Sequence, residues 1–88
     1  MEKDKYYFEE TLIDYELIST YGGNFTYRDL EAYGKYDTEK QTIDKVTFIE
    51  TIFEQGESPK REEVEIYENS YEYQELLKIL KTKTIINN

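Results

Sequence analysis

The chain contains no cysteine and no histidine. At 88 residues and 10.7 kDa, that absence constrains the fold more than any motif. A chain this short buries only roughly 60% of its unfolded surface. Without cysteine it has no disulfide and no thiolate zinc site, and without histidine no imidazole ligand. The fold must therefore rest on apolar packing alone. Charged residues make up 35% of the chain and its mean hydropathy is −0.87, a balance that leans toward disorder. Nine Ile, six Leu, four Phe and ten Tyr, with a single Pro, argue the other way. They supply the core of one folded domain spanning residues 1–88, with 84–88 expected to fray.

The same two absences remove much chemistry. A thiolate nucleophile, a Ser-His-Asp triad and the usual general base near neutral pH are all excluded. A metal site could use only oxygen ligands. The calcium-loop, phosphate-loop and dinucleotide-binding patterns are missing, and the paired Gly22 and Gly23 read as a turn. Asp14/Glu16, Glu62/Glu65 and Glu68/Glu72 offer carboxylate pairs, but such a pair needs a substrate cleft that a small chain with four glycines has little room to build. The expectation is a protein without enzymatic activity, cofactor or metal. No apolar run approaches the roughly 18–20 residues of a membrane span. Met1-Glu2-Lys3-Asp4-Lys5 is mixed in charge and lacks the apolar stretch of a secretory signal. A cytoplasmic location is expected, which makes the glycosylation pattern at Asn24-Phe25-Thr26 accidental.

The clearest predicted element is the last. Ser70 can cap a helix over 71–82, where Tyr73, Leu76, Leu77 and Leu80 form one apolar stripe. A shorter helix is predicted over 26–33. Thr26-x-x-Asp29 resembles a capping box, Tyr27, Leu30 and Tyr33 share a helical face, and Gly34 supplies the stop. β-branched and aromatic residues predict a strand over 45–54, although Ile43, Val46, Ile49 and Ile52 also recur at helical spacing. Residues 62–68 alternate Val64 and Ile66 with Glu63, Glu65 and Tyr67, and 55–61 is turn-rich. The two runs read as a hairpin with a seven-residue loop. Residues 6–18 fit neither period cleanly. A strand over 11–18, with Ile13, Tyr15 and Leu17 on one side, fits best. The expected fold is α+β: a small antiparallel sheet of about three strands with two helices on one face, in the order β-α-β-β-α.

The net charge is −9, and it is unevenly placed. Residues 46–75 hold nine acids and two bases, whereas 76–88 hold three Lys and no acid. The lysines complement a helix C-terminus. The acids Glu50, Glu54, Glu57, Glu62, Glu63, Glu65, Glu68, Glu72 and Glu75 fall on the predicted hairpin and following helix. On a strand, side chains two apart recur at about 6.6 Å, and on a helix, four apart, at about 6 Å. Both resemble the spacing of neighbouring phosphates, so such a face can occupy a groove built for nucleic acid. The alternative is a solvated face that aids solubility. The ten tyrosines also divide. Tyr15, Tyr27 and Tyr73 are expected in the core with their hydroxyls at water. Tyr67 and Tyr71 are expected either there or at an interface. Glu54, Glu57, Glu62, Glu63, Glu65, Tyr67, Glu68, Tyr71 and Glu72 are the candidate partner-binding residues.

The charge repels nucleic acid itself, so the expected partner is a basic protein, in particular a nucleic-acid-binding enzyme such as a defence nuclease. In size and charge alone, the chain resembles the inhibitors of phages and mobile elements, the anti-CRISPR and anti-restriction proteins, many of which act as DNA mimics. The resemblance carries over no functional residue. An immunity protein or antitoxin that neutralises a basic toxin fits the same charge. So does an accessory subunit that dimerises through an uncovered sheet face, leaving Thr47, Ile49 or Phe53 exposed in the monomer.

Overall fold

A computed structural model describes residues 4–85. Four strands run in sequence order across one antiparallel sheet: β1 (Lys5–Ser19), β2 (Thr26–Asp37), β3 (Thr42–Glu54) and β4 (Lys60–Val64). A short 3-10 turn, Tyr21–Gly23, joins β1 to β2, and α1 (Tyr71–Ile85) follows β4. Fifteen residues of β1 at about 3.4 Å each reach about 50 Å, and the molecule measures 51 × 22 × 21 Å.

The order is β-β-β-β-α, not the expected β-α-β-β-α, with four strands in place of three and one helix in place of two. The correction turns on residues 26–33, read from sequence as a helix and found inside β2. Tyr27, Leu30 and Tyr33 recur every three residues, but the segment also alternates with period two. Leu30, Ala32 and Tyr36 are fully buried, while the residues between them are half-buried. Unbroken pairing with β3 on one side and bulged pairing with β1 on the other outweigh the local helical signal. Asp29 does not serve a capping box. Its carboxylate accepts a hydrogen bond from the Tyr15 backbone N–H on β1. Gly34 ends no helix; it sits mid-strand, opposite Phe8 and Val46.

The other elements differ in extent. β1 covers 5–19, beyond the expected 11–18, and β4 ends at Val64, short of the expected 68. The β3–β4 loop spans residues 55–59, with Gly56 at φ +82, a conformation that suits glycine. α1 extends past the expected 82 to Ile85. Of the segment expected to fray, 86–88 lie outside the described residues.

Strand pairing puts cross-strand partners on a common face. One row runs Glu10–Ala32–Phe48–Val64, the next Phe8–Gly34–Val46 and the next Tyr6–Tyr36–Ile43. α1 lies over these rows. Its Leu76 and Leu80 are fully buried, and with Phe8, Leu30, Ala32, Tyr36 and Phe48 they form the core. Tyr73 adds a tilted ring contact to Phe48 at 6.3 Å. Lys83 near the helix end reaches the largely buried Glu10 carboxylate at 2.6 Å, tying α1 to β1.

Among the described residues no helix covers the opposite face. There Arg61 on β4 donates to the Tyr33 hydroxyl at 3.2 Å and to Glu31 at 3.5 Å, both on β2. Thr47, Ile49 and Phe53 on this face are half-buried, not exposed as expected from the sequence. No helix among the described residues is long and apolar enough to cross a membrane.

Candidate functional site

The nine residues singled out from the sequence line the route from the end of β3, along β4, to the first turn of α1. Among the described residues β4 pairs only with β3, so its outer side is a sheet edge. Edge strands are commonly short and charged, which discourages pairing with other chains, and Lys60-Arg61-Glu62-Glu63-Val64 fits that rule.

The acids do not form one face. Glu62 pairs with Glu50 and Glu63 with Ile49, so successive side chains point to opposite sides of the sheet. Glu54 and Glu57 flank the Lys60 ammonium at 3.9 and 3.8 Å. Glu50 is held by Arg28 at 2.6 Å. Glu62, Glu63, Glu65, Glu68 and Glu72 make no ion pair among the described residues, and all but the half-buried Glu72 are exposed.

Two tyrosines stand among these carboxylates. The Tyr67 hydroxyl donates to Glu65 at 2.7 Å, and that hydrogen bond to a carboxylate raises the phenol pKa. Tyr67 is 66% exposed and Tyr71 78% exposed, so both rings face solvent. Tyr73 packs against the core, as expected from the sequence. Burial and then the nearby Glu68 raise its pKa. The helix start beneath them is well formed. The Ser70 hydroxyl accepts the Tyr73 N–H at 3.2 Å, and Gln74 reaches back to the Glu68 carbonyl at 2.6 Å.

A second feature lies at the end of the sheet remote from α1. β1 bulges between Ile13 and Glu16, placing Asp14 and Tyr15 opposite a single residue of β2. The bulge moves Leu17 onto the face of Tyr27, away from the face shared by Ile13 and Leu30, which separates residues expected to lie together. Tyr15 takes φ +52, a left-handed conformation costing a side-chain-bearing residue about 1–2 kcal/mol. The Asp29 carboxylate holds its N–H. So placed, the Tyr15 ring stacks on Tyr27 at 4.2 Å, with 5° between planes, and meets the Phe53 ring edge-on at 5.2 Å. Tyr15, Phe25, Tyr27 and Phe53, with Glu54 and Gln55, line an open recess of about 280 Å³. Tyr15 is 54% exposed, not the core residue expected from the sequence.

Sequence reasoning missed this recess because it depends on register. Tyr27 and Phe53 are 26 positions apart and become neighbours only through the β2–β3 ladder. The alternation in 26–37 is the one local signal that could have pointed to it.

Among the described residues no group of three or more carboxylates is arranged to hold a metal ion. In comparisons with known proteins the chain has no match: no family model, no curated protein and no solved structure.

Proposed function

We propose that this chain is a non-enzymatic inhibitor that docks its acidic edge on a basic partner, a protein that binds or processes nucleic acid. The observation that carries the reading is the set of carboxylates from Glu62 to Glu72, along β4 and into α1, that make no ion pair among the described residues. A cationic groove would supply the ion-pair partners these carboxylates lack among the described residues, and long-range attraction would speed the encounter. The two-sided placement of Glu62 and Glu63 suits insertion of the edge into a groove better than contact through a flat face. Tyr67 and Tyr71 add exposed aromatic area of the kind that anchors interfaces.

The test is recovery of partners from bacterial lysate on the tagged protein, followed by binding measurements with the recovered enzyme. Binding should weaken with added salt and with competing DNA. The combined variant Glu62→Lys, Glu65→Lys and Glu68→Lys should keep the fold, since all three are exposed, and should lose the partner. Undiminished binding by that variant would overturn the proposal.

The uncovered sheet face supports a second reading, self-association. Thr47, Ile49 and Phe53 lie on it, half-buried. Sedimentation separates the two readings: a strictly monomeric species leaves the self-association reading without support.

A further inference from the structure

We propose that the aromatic recess at the end of the sheet is a binding site for a weakly hydrated organic cation, a methylated ammonium or a guanidinium. The proposal does not depend on the acidic edge being a docking surface.

Ring arrangement is the first argument. Tyr15 and Tyr27 stack with 5° between their planes, and Phe53 meets Tyr15 at 64°. Phe25 completes the wall of an opening of about 280 Å³. Tyr15 and Tyr27 cover each other on one side, and the steep angle of Phe53 to Tyr15 turns aromatic surface toward the open space. The faces carry the negative part of the ring quadrupole and attract cations. The second argument is charge. Glu54 stands on the rim, and its closest described cation is Lys60 at 3.9 Å, whose side chain is 66% exposed. That loose pair leaves the carboxylate able to face a guest. Among the described residues the cation lying over a ring is Lys35 at Tyr7, elsewhere in the fold, so no described cation of the chain fills the recess. The third argument is construction. The bulge and left-handed backbone at Tyr15 cost energy locally, and they serve to bring its ring onto Tyr27 and Phe53. Backbone outliers of this kind cluster at ligand sites.

The chemistry selects against a hard metal ion. One carboxylate among four rings cannot replace the oxygen shell that Mg²⁺ or Ca²⁺ requires. A methylated ammonium or a guanidinium loses little hydration and gains both aromatic contact and the carboxylate. A neutral group of the same shape would gain the apolar contacts but not the charge.

The experiment is a nuclear magnetic resonance titration of the full chain, following the Tyr15, Phe25, Tyr27 and Phe53 ring signals. Four probes are used: tetramethylammonium, the amide of acetylated trimethyllysine, the amide of acetylated arginine, and the trimethyllysine analogue in which carbon replaces nitrogen. The expected result is saturable shifts at these rings, with the trimethyllysine probe at least about fivefold tighter than its carbon analogue. Glu54→Gln should weaken cation binding by about threefold or more, while Lys60→Gln should strengthen it by removing a like charge. Neither change should affect the carbon analogue. Both positions are solvent-accessible, so both variants should fold. Tight binding of tetramethylammonium would indicate that a free ion suffices. Binding of only the amino-acid amides would indicate a side chain presented by a protein. Equal affinity for the carbon analogue, or no shifts at the four rings with any cation, would overturn the proposal.

Discussion

Gly34 faces the Phe8 ring across the β1–β2 ladder so closely that a Cβ on Gly34 would stand 2.8 Å from the Phe8 Cζ. The same Cβ would collide with the Lys45 carbonyl oxygen on β3. The glycine is thus what lets three strands and a core phenylalanine close on one another. Gly34→Ala is expected to destabilise the fold by at least about 2 kcal/mol, because the obstruction is backbone and cannot swing aside. Urea denaturation of the variant beside the parent checks this. A loss below about half that value would mean that β2 and β3 separate easily.

Tyr36 presents the opposite case. Its side chain is fully buried, and its hydroxyl has no hydrogen-bond partner among the described residues. The Thr84 hydroxyl lies nearby and donates to the Leu80 carbonyl at 2.8 Å, but it is not placed to hydrogen-bond the Tyr36 hydroxyl. Burial pushes the phenol pKa up. Removing an unsatisfied buried hydroxyl removes its desolvation cost, so Tyr36→Phe should stabilise the protein by about 1 kcal/mol. A clear loss of stability on thermal unfolding would mean that the hydroxyl has a partner, such as an ordered water.

Asp37 anchors the β2–β3 turn. Its carboxylate accepts the Glu39 and Lys40 N–H groups, each at 2.9 Å, and the Lys5 ammonium at 2.9 Å. The Lys40 hydrogen bond, then the Lys5 bond, lower its pKa from 3.8 to about 2. A lowered folded pKa means that this stabilisation is fully present above 3.8 and is lost as pH falls through about 2. Urea midpoints measured down that range should fall, and Asp37→Asn should flatten the part of the decline that belongs to this group. An unchanged pH profile in the variant would remove Asp37 from the account.

Ser70 caps α1 through its hydroxyl, which accepts the Tyr73 N–H. Ser70→Ala should cost about 1 kcal/mol, whereas Ser70→Asp should largely preserve stability. Helical circular dichroism during urea unfolding reads both variants. Equal stability of all three proteins would mean that water satisfies the helix end equally well.

Legibility from the sequence followed the range of the contacts. The Tyr73, Leu76, Leu77, Leu80 stripe and its Ser70 cap placed α1 at its correct start, because that helix is specified by near neighbours. The β3–β4 hairpin was also legible, from Val64 and from the turn residues around Gly56. Residues 26–33 were misread because Thr26-x-x-Asp29 and Gly34 mimic helix-end signals, while their actual partners, Tyr15, Phe8 and Lys45, lie far off in the chain. The candidate acids were visible as a charge run. Their division between two sides of β4 was not, since it depends on where the ladder begins and ends.

The position of α1 has one more consequence. The helix covers one face of the sheet over only part of a molecule 51 Å long, and among the described residues the end with Tyr15, Phe25 and Phe53 has no second layer. Amide protons in the rows containing Ala32 and Phe48 should exchange only on global opening. Those around Tyr27 and Ile52 should exchange through smaller local openings. Such a pattern would divide the molecule along its length into a slowly breathing anchor and a faster-breathing end, with the aromatic recess in the latter.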